Sequence, residues 1–234
     1  MSILDFIFPK YCVNCRKIGS YLCPNCFSFL SFVTGEKCAV CNKASIGGLT
    51  HPGCCRKYTI DGIFSSIEYK GTAKRLIYNF KYKPYLADLK EVLVDLLFEG
   101  IIQKEAFSKI YHNKSFDPKF IVAIPLHKSK FKKRGYNQSE ILARALCGKL
   151  NLEYLDCVER IKNTHSQVGL SEEKRHENIA GAFEVKKGME KYLKGAAVFL
   201  VDDIFTTGST LLESANILKR KGAAKVWGIT LAAQ

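Results

Sequence analysis

The residues from Asp202 to Thr210 have the types and spacing of a site for a phosphorylated sugar. An apolar run ends in Asp202 and Asp203, and the small residues Thr206-Thr-Gly-Ser-Thr210 follow. Backbone N–H groups in such a segment can point into one concavity, and the positive end of a following helix favours a phosphate monoester. Gly208 lets the backbone approach a ligand without a Cβ atom. The two carboxylates can accept hydrogen bonds from the vicinal hydroxyls of a sugar.

The alternative is a purely structural role, in which this segment is a strand–turn–helix whose acids and threonines only cap the helix. Capping accounts for one acid and one hydroxyl, but not for two acids followed by Thr-Thr-Gly-Ser-Thr. The pattern therefore predicts a ligand site. Its catalytic candidates are Asp202 and Asp203, and its phosphate-binding candidates are Thr206, Thr207, Gly208, Ser209 and Thr210.

A basic segment follows a second short apolar run, Phe120–Ile124. It holds five basic residues, and we predict that Lys128, Lys130 and Arg134 form a loop that neutralises a pyrophosphate. The same charges would also suit the backbone of DNA or RNA, and a solvated basic loop is the plain alternative. A polar cluster at Arg160–Leu170 is expected to be either a hood over the ligand or an ordinary surface connection.

Cysteines are concentrated at the start of the chain, with eight of the ten in the first 55 residues. Paired thiolates at this spacing suit tetrahedral structural Zn²⁺, with no open position for a substrate. The simplest fourth pair is His51 with Cys54, although Cys55 could replace either of them. The predicted zinc ligands are Cys12, Cys15, Cys23, Cys26, Cys38, Cys41, His51 and Cys54.

Strand and helix signals alternate after residue 61, which predicts a mainly parallel sheet with helices on both faces. We predict strands at Ile63–Tyr69, Ala196–Val201 and Lys225–Ala233, and helices at Ser139–Leu150 and Ser209–Lys221. The composition shift places a zinc-binding module at residues 1–61 and an α/β domain at residues 62–234.

The chain has 234 residues and a formal net charge of +14, which favours polyanionic partners such as nucleic acid or phosphorylated metabolites. Neither a secretory signal nor a membrane span is expected, because polar residues interrupt the apolar stretches. A cytoplasmic location is therefore expected, where many cysteines indicate metal binding more than disulfides.

The ordered motifs resemble those of the ComF/GntX family of phosphoribosyltransferase-like proteins. Leu200–Thr210 is similar to the motif with which type I phosphoribosyltransferases bind phosphoribosyl pyrophosphate (PRPP). Further matching segments are Tyr69–Gly71, Phe80–Tyr82, Ile124–His127, Arg134–Gln138 and Thr164–Leu170, together with Arg175, Asn178, Gly181, Phe183 and the paired cysteines.

This resemblance implies an α/β fold, with a type I phosphoribosyltransferase-like parallel sheet flanked by helices and a small N-terminal double zinc-ribbon-like module. It also implies PRPP with Mg²⁺ as ligand and a role in natural transformation, in handling DNA inside the cell. It implies that the loop at Thr206–Thr210 binds the 5-phosphate, and that Asp202 and Asp203 bind the ribose hydroxyls. The resemblance names no acceptor base.

Three functions are compatible with these observations. The first is an enzyme that displaces pyrophosphate from PRPP with an amine or a base. The second is a module that binds single-stranded DNA or another nucleic acid without catalysis, favoured by the basic and aromatic residues of Lys70–Tyr85. The third is a scaffold that recruits a helicase-like competence partner. Release of pyrophosphate, or salt-sensitive DNA binding without turnover, would distinguish the first two.

Overall fold

The structure, a computed structural model, describes residues 9–82, 89–163 and 177–234. Five strands form a parallel sheet, and two more form a separate antiparallel pair. The strands are Gly62–Glu68 (β1), Lys119–Ala123 (β2), Glu153–Tyr154 (β3), Val158–Arg160 (β4), Phe183–Val185 (β5), Ala197–Phe205 (β6) and Lys225–Ala233 (β7). The order in the main sheet is β1-β7-β6-β2-β3, and β4 pairs with β5.

Helices connect most of these strands. They are Pro24–Phe27 (α1), Gly71–Tyr82 (α2), Leu89–Ile102 (α3), Glu105–His112 (α4), Lys128–Arg134 (α5), Gln138–Leu150 (α6), Glu190–Leu193 (α7) and Ser209–Arg220 (α8). Among the helices in the described ranges, none is both long and apolar enough to cross a membrane.

The core has two layers because the side chains of a strand alternate between the faces of the sheet. In β6, Phe199 and Val201 pack with residues of α3 and α6 in one cluster. Val198 and Leu200 pack with residues of α8 in a second cluster. The predicted parallel sheet with helices on both faces is therefore confirmed.

The cysteine-rich N-terminal segment lies along β1 and extends into the core. Isolated bridges join Phe32 to Ile67 and Leu49 to Gly62. Ala39, between two cysteines, is fully buried in the cluster that contains Val198 and Leu200. This segment therefore contributes to the same core as the sheet.

Two sequence predictions near the site are wrong in detail. The central strand was predicted to end at Val201, but β6 continues through both acids to Phe205. The basic segment was predicted to be a loop, but it is helix α5. The strands predicted at Ile63–Tyr69 and Lys225–Ala233 and the helices predicted at Ser139–Leu150 and Ser209–Lys221 agree with the structure to within two residues. The predicted hood segment from Thr164, together with Arg175, lies outside the described residues.

Candidate functional site

The phosphate-binding candidates connect the end of β6 to the start of α8. Thr206 and Thr207 form the turn, Gly208 is the N-cap, and Ser209 is the first helical residue. The Thr207 and Ser209 hydroxyl oxygens are 2.8 Å apart, so both lie on one side of the turn. The first N–H groups of a helix have no partner within the helix, and its positive end favours an anion. The turn can therefore bind a phosphate through backbone amides and hydroxyls together.

Gly208 occupies a position that no other residue fits. Its φ of 75° lies in the left-handed region. A Cβ atom there would be 2.8 Å from the Phe205 ring and 3.1 Å from the carbonyl oxygen of Ala39. The close approach of Ala39, which belongs to the cysteine-rich segment, shows that this segment forms part of the wall behind the phosphate loop.

The two acids at the end of β6 have different partners. Asp203 pairs with Lys81 at the end of α2, at an N–O distance of 2.8 Å. Asp202 accepts a hydrogen bond of 2.9 Å from the Ser139 hydroxyl, in the first turn of α6. Burial, and then the negative charge of Asp203, raise the pKa of Asp202 to about 7, against hydrogen bonds and the charge of Lys81 that lower it. Asp202 is therefore expected to titrate near neutral pH.

The affinity for a ribose-phosphate ligand is expected to fall as the pH is lowered from about 8 to about 6. If ribose hydroxyls donate to the ionised carboxylate of Asp202, whose pKa is about 7, binding favours its deprotonated form. Below that pKa the affinity should decrease by up to about tenfold per pH unit. Calorimetric titrations at several pH values measure this slope.

Asp202→Asn is the control for the pH slope, because the ligand's own phosphate also titrates at about pH 6. The ratio of wild-type to variant affinity removes the contribution of the ligand. If this ratio does not change with pH, Asp202 does not titrate in the range given.

Two of the predicted cations, Lys130 and Arg134, are partly buried on the basic helix α5. Burial, and then the positive charges of Arg160 and Arg134, lower the pKa of Lys130. The Arg134 guanidinium donates to Gln138 at 2.8 Å and lies over the ring of Tyr82. Lys128, the third predicted residue, is exposed at the start of the helix.

Two cations of this site were not among the predicted ligand-binding residues. Arg160 ends β4 and lies over Phe183, and burial lowers its pKa while the charge of Asp202 raises it. Lys81 pairs with Asp203. The only sequence signals were the resemblance at Phe80–Tyr82 and the polar cluster that begins at Arg160.

Four cysteines of the first half of the N-terminal segment lie together. The ligand atoms of Cys12, Cys15, Cys23 and Cys26 are all within 4.8 Å of one another. Burial opposes ionisation of Cys12, but backbone amides, including those of Cys15 and Cys23, outweigh it and lower the Cys12 pKa to about 6. A thiolate held by amides among three other sulfurs fits a tetrahedral zinc ion.

A second group combines three cysteines with one histidine. The ligand atoms of Cys38, Cys41, His51 and Cys54 also lie within 4.8 Å of one another. His51 Nε2 is 2.9 Å from the Ala44 carbonyl, which leaves Nδ1 on the side of Cys41, 3.3 Å from its sulfur. A backbone carbonyl on the second ring nitrogen is typical of histidines that bind metals.

The sequence left Cys55 as an alternative ligand in this second group, and the structure places it outside. Cys55 is exposed and is not part of the group of close ligand atoms. A hydrogen bond that the Cys54 thiol donates to Cys41, and then burial, raise the pKa of Cys54 to about 11. A bound divalent cation would offset the cost of ionising Cys54, because it would stabilise all the thiolates of the group.

Helix α2 connects the first cysteine group to the acid pair. Arg75 donates to both the carbonyl and the side-chain oxygen of Asn14, at 3.1 and 2.8 Å. The Asn14 amide is in turn 3.3 Å from the Cys26 sulfur. Six residues further along the same helix, Lys81 reaches Asp203. The first cysteine group therefore helps to fix helix α2, which carries Lys81.

Two family models match different parts of the chain. A phosphoribosyl transferase domain model matches residues 100–234, and a double zinc ribbon domain model matches residues 3–57. The first match includes both acids, the phosphate loop and the basic helix.

Named relatives support the same assignment. Competence protein F of Haemophilus influenzae is 38% identical over 120 residues, which cover 49% of this chain and 51% of that protein. DNA utilization protein YhgH of Escherichia coli K12 is 37% identical over 110 residues, 47% of each chain. The chain spans about half the length of these two relatives.

A third relative aligns over most of its length. Competence protein ComFC of Bacillus subtilis is 28% identical over 236 residues, which cover 90% of this chain and 83% of that protein. The transferase model covers more than half of the chain, the zinc ribbon model precedes it, and the relatives carry ComF-type names. The chain belongs to the phosphoribosyl transferase domain family, as a ComF-type member with a double zinc ribbon before the transferase domain.

Proposed function

We propose that this protein binds PRPP together with Mg²⁺ and acts in natural transformation, in the handling of DNA inside the cell. One observation carries the proposal: the turn before α8, the two acids and the basic helix α5 all lie at the carboxyl ends of the neighbouring strands β6 and β2. The loop suits the 5-phosphate, Asp202 and Asp203 suit the ribose hydroxyls, and Lys130, Arg134 and Arg160 suit the pyrophosphate. Open α/β sheets bind ligands at this edge.

The two metals would have different roles. Zn²⁺ at the two ribbon groups would be structural, because four protein ligands leave no open position. Mg²⁺ prefers a few oxygen ligands plus substrate phosphates, so it would be held mainly by the ligand and would neutralise the pyrophosphate. The carboxylates of Asp202 and Asp203 are the oxygen ligands that this edge of the sheet offers.

The reaction that such a site can support is a displacement at C1 of the ribose. The bond from C1 to the pyrophosphate oxygen breaks, and its electron pair leaves with pyrophosphate. A nitrogen of the acceptor forms the new bond to C1 and loses a proton. The protein would contribute by positioning the ribose through the acids and by stabilising the leaving charge through Arg134 and Arg160.

Binding of nucleic acid is the second candidate, and one feature favours it. Tyr78 and Tyr82 are both more than half exposed on α2, with ring centroids 4.9 Å apart. The Arg134 guanidinium lies over the Tyr82 ring. Exposed aromatic rings beside cations are the usual surface for stacking the bases of a single strand. The relatives' names, which mention competence and DNA utilization, are compatible with such a partner.

Replacing Asp202 and Asp203 together by asparagine is expected to abolish PRPP binding. The two amides lose the acceptor strength of the carboxylates for the ribose hydroxyls, so the affinity should fall by about 100-fold or more. Calorimetry with PRPP and Mg²⁺, on zinc-loaded protein, measures the effect.

The matched control is Asp95→Asn/Asp156→Asn, which removes the same charge from two exposed acids whose side chains are 64% and 60% exposed. This control should bind PRPP as the wild type does. Absence of PRPP binding by folded, zinc-loaded wild type would overturn the proposal. Salt-sensitive binding of single-stranded DNA, unaffected by either double variant, would then favour the second candidate.

A further inference from the structure

Lys81 forms a shielded ion pair with one of the two acids. Its Nζ is 2.8 Å from the Asp203 carboxylate, and the two side chains are only 19% and 12% exposed. Burial opposes the charge of Lys81, but Asp203 and Asp202 outweigh it and raise its pKa, while Arg134 lowers it. The ammonium is therefore held by the acid pair, while the positive charge of Arg134 acts against it.

Ligand binding would compete with this ion pair. An ammonium group can only donate hydrogen bonds, and so can a ribose hydroxyl that faces a carboxylate. When a hydroxyl occupies the Asp203 oxygen, Lys81 needs a new acceptor, since an unpaired buried charge is costly. In PRPP, C1 carries the pyrophosphate and is bonded directly to C2, so this anion lies next to the hydroxyls that the acids would hold.

The backbone that carries Lys81 is held in place on two sides. The Tyr136 hydroxyl, two residues after Arg134, donates to the carbonyl of Phe80. Arg75, earlier in α2, holds Asn14 of the first ribbon. The helix is thus fixed, whereas a lysine side chain has a flexible four-carbon stem that can change partner.

We propose that Lys81 is a ligand-binding residue, which pairs with Asp203 in the free protein and contacts the anionic substituent on C1 of the ribose in the bound state. This inference rests on the proposed binding of a phosphoribosyl ligand. It adds to the site a residue from α2, which precedes the segment that the transferase model matches.

The test compares two ligands that differ only at C1. Lys81→Met should lower the affinity for PRPP with Mg²⁺ by about 10- to 100-fold, as expected for a lost hydrogen bond between charged groups. Ribose 5-phosphate has no anion at C1, so its affinity should change by less than about threefold. Calorimetry on the full zinc-loaded chain measures both.

Lys74→Met is the matched control, because Lys74 is an exposed lysine on the same helix. It changes the net charge by the same amount and should leave both affinities unchanged. Lys81→Met in an Asp203→Asn background is the second test, because neither charge of the pair is then left unpaired. If Lys81 acts only through Asp203, Lys81→Met has no further effect on the PRPP affinity in that background. If Lys81 contacts the ligand, Lys81→Met still lowers the PRPP affinity.

An equal loss of affinity for both ligands would overturn the inference, since Lys81 would then only orient Asp203. Unchanged PRPP affinity in Lys81→Met would overturn it as well. In both cases wild type still binds PRPP, so the proposed function stands. If wild type binds no PRPP, the proposed function and this inference fail together.

Discussion

Gly208→Val is expected to abolish phosphate-ester binding while the rest of the domain stays folded. A side chain at this position would meet the Phe205 ring at 2.8 Å and the Ala39 carbonyl at 3.1 Å. The left-handed φ adds strain of about 1–3 kcal/mol for a residue other than glycine. The loop must move to relieve both, so affinity for PRPP or ribose 5-phosphate should fall by at least about 100-fold. Calorimetry and a thermal melt, performed together, measure the two effects.

Gly188→Ala is the control for strain alone. Gly188 also has a left-handed φ, of 84°, but nothing lies within 4 Å of its missing Cβ. This variant should lose only the stability that the backbone strain costs, and it should keep its ligand affinity. Normal affinity in Gly208→Val would show that the loop does not bind the phosphate in the way proposed.

Cys54→Ser and Cys55→Ser should differ sharply in zinc content, although the two residues are neighbours. Cys54 belongs to the group with Cys38, Cys41 and His51, and Cys55 does not. We expect Cys54→Ser to lose about one of two zinc ions, and Cys55→Ser to keep both. Zinc release with a colorimetric chelator, followed by a thermal melt, measures the difference.

The loss of this zinc should extend beyond the ribbon. Ala39 lies between two of the ligands and is fully buried in a core cluster of the sheet, so the core loosens with the ribbon. If the free energy of unfolding falls by about 4 kcal/mol, the Tm should fall by about 10 °C in a chain of this size. Equal zinc content in the two variants, or loss in Cys55→Ser alone, would contradict the ligand group.

The strand–turn–helix from Leu200 to Thr210 could be predicted because its signals are local in sequence. An apolar strand, two acids and a glycine at a helix start are contiguous between Leu200 and Thr210. The strand-to-helix connection then places them at the ligand-binding edge without any further information. The cysteine pairs were predictable for the same reason, because a two-residue gap brings two sulfurs together.

Contacts between distant segments were not predictable from the sequence. Lys81 and Asp203 are separated by more than 100 residues, and only the packing of α2 brings them together. Likewise, Arg160 ends β4 in the separate β4–β5 pair, yet the charge of Asp202 acts on it against burial, which lowers its pKa.

The basic helix was mistaken for a loop for a physical reason. Lys128 and Lys132, like Lys130 and Arg134, are like charges four residues apart, which destabilises an isolated helix. The structure compensates with caps: His127 accepts from the Ser129 amide, and Gly135 ends the helix at a φ of 81°. These caps depend on the backbone of the flanking turns, which the charge pattern does not reveal.

The contact between Ala39 and Gly208 has a consequence for how such genes can be divided or recombined. A fragment that starts at residue 100, where the transferase match begins, would lack Ala39, α2 and the edge strand β1. It would keep the acids and the phosphate loop, yet lose the wall behind that loop and the partner of Asp203. An exchange of ribbons between relatives would have to preserve these contacts, so the two modules are expected to be inherited as one unit.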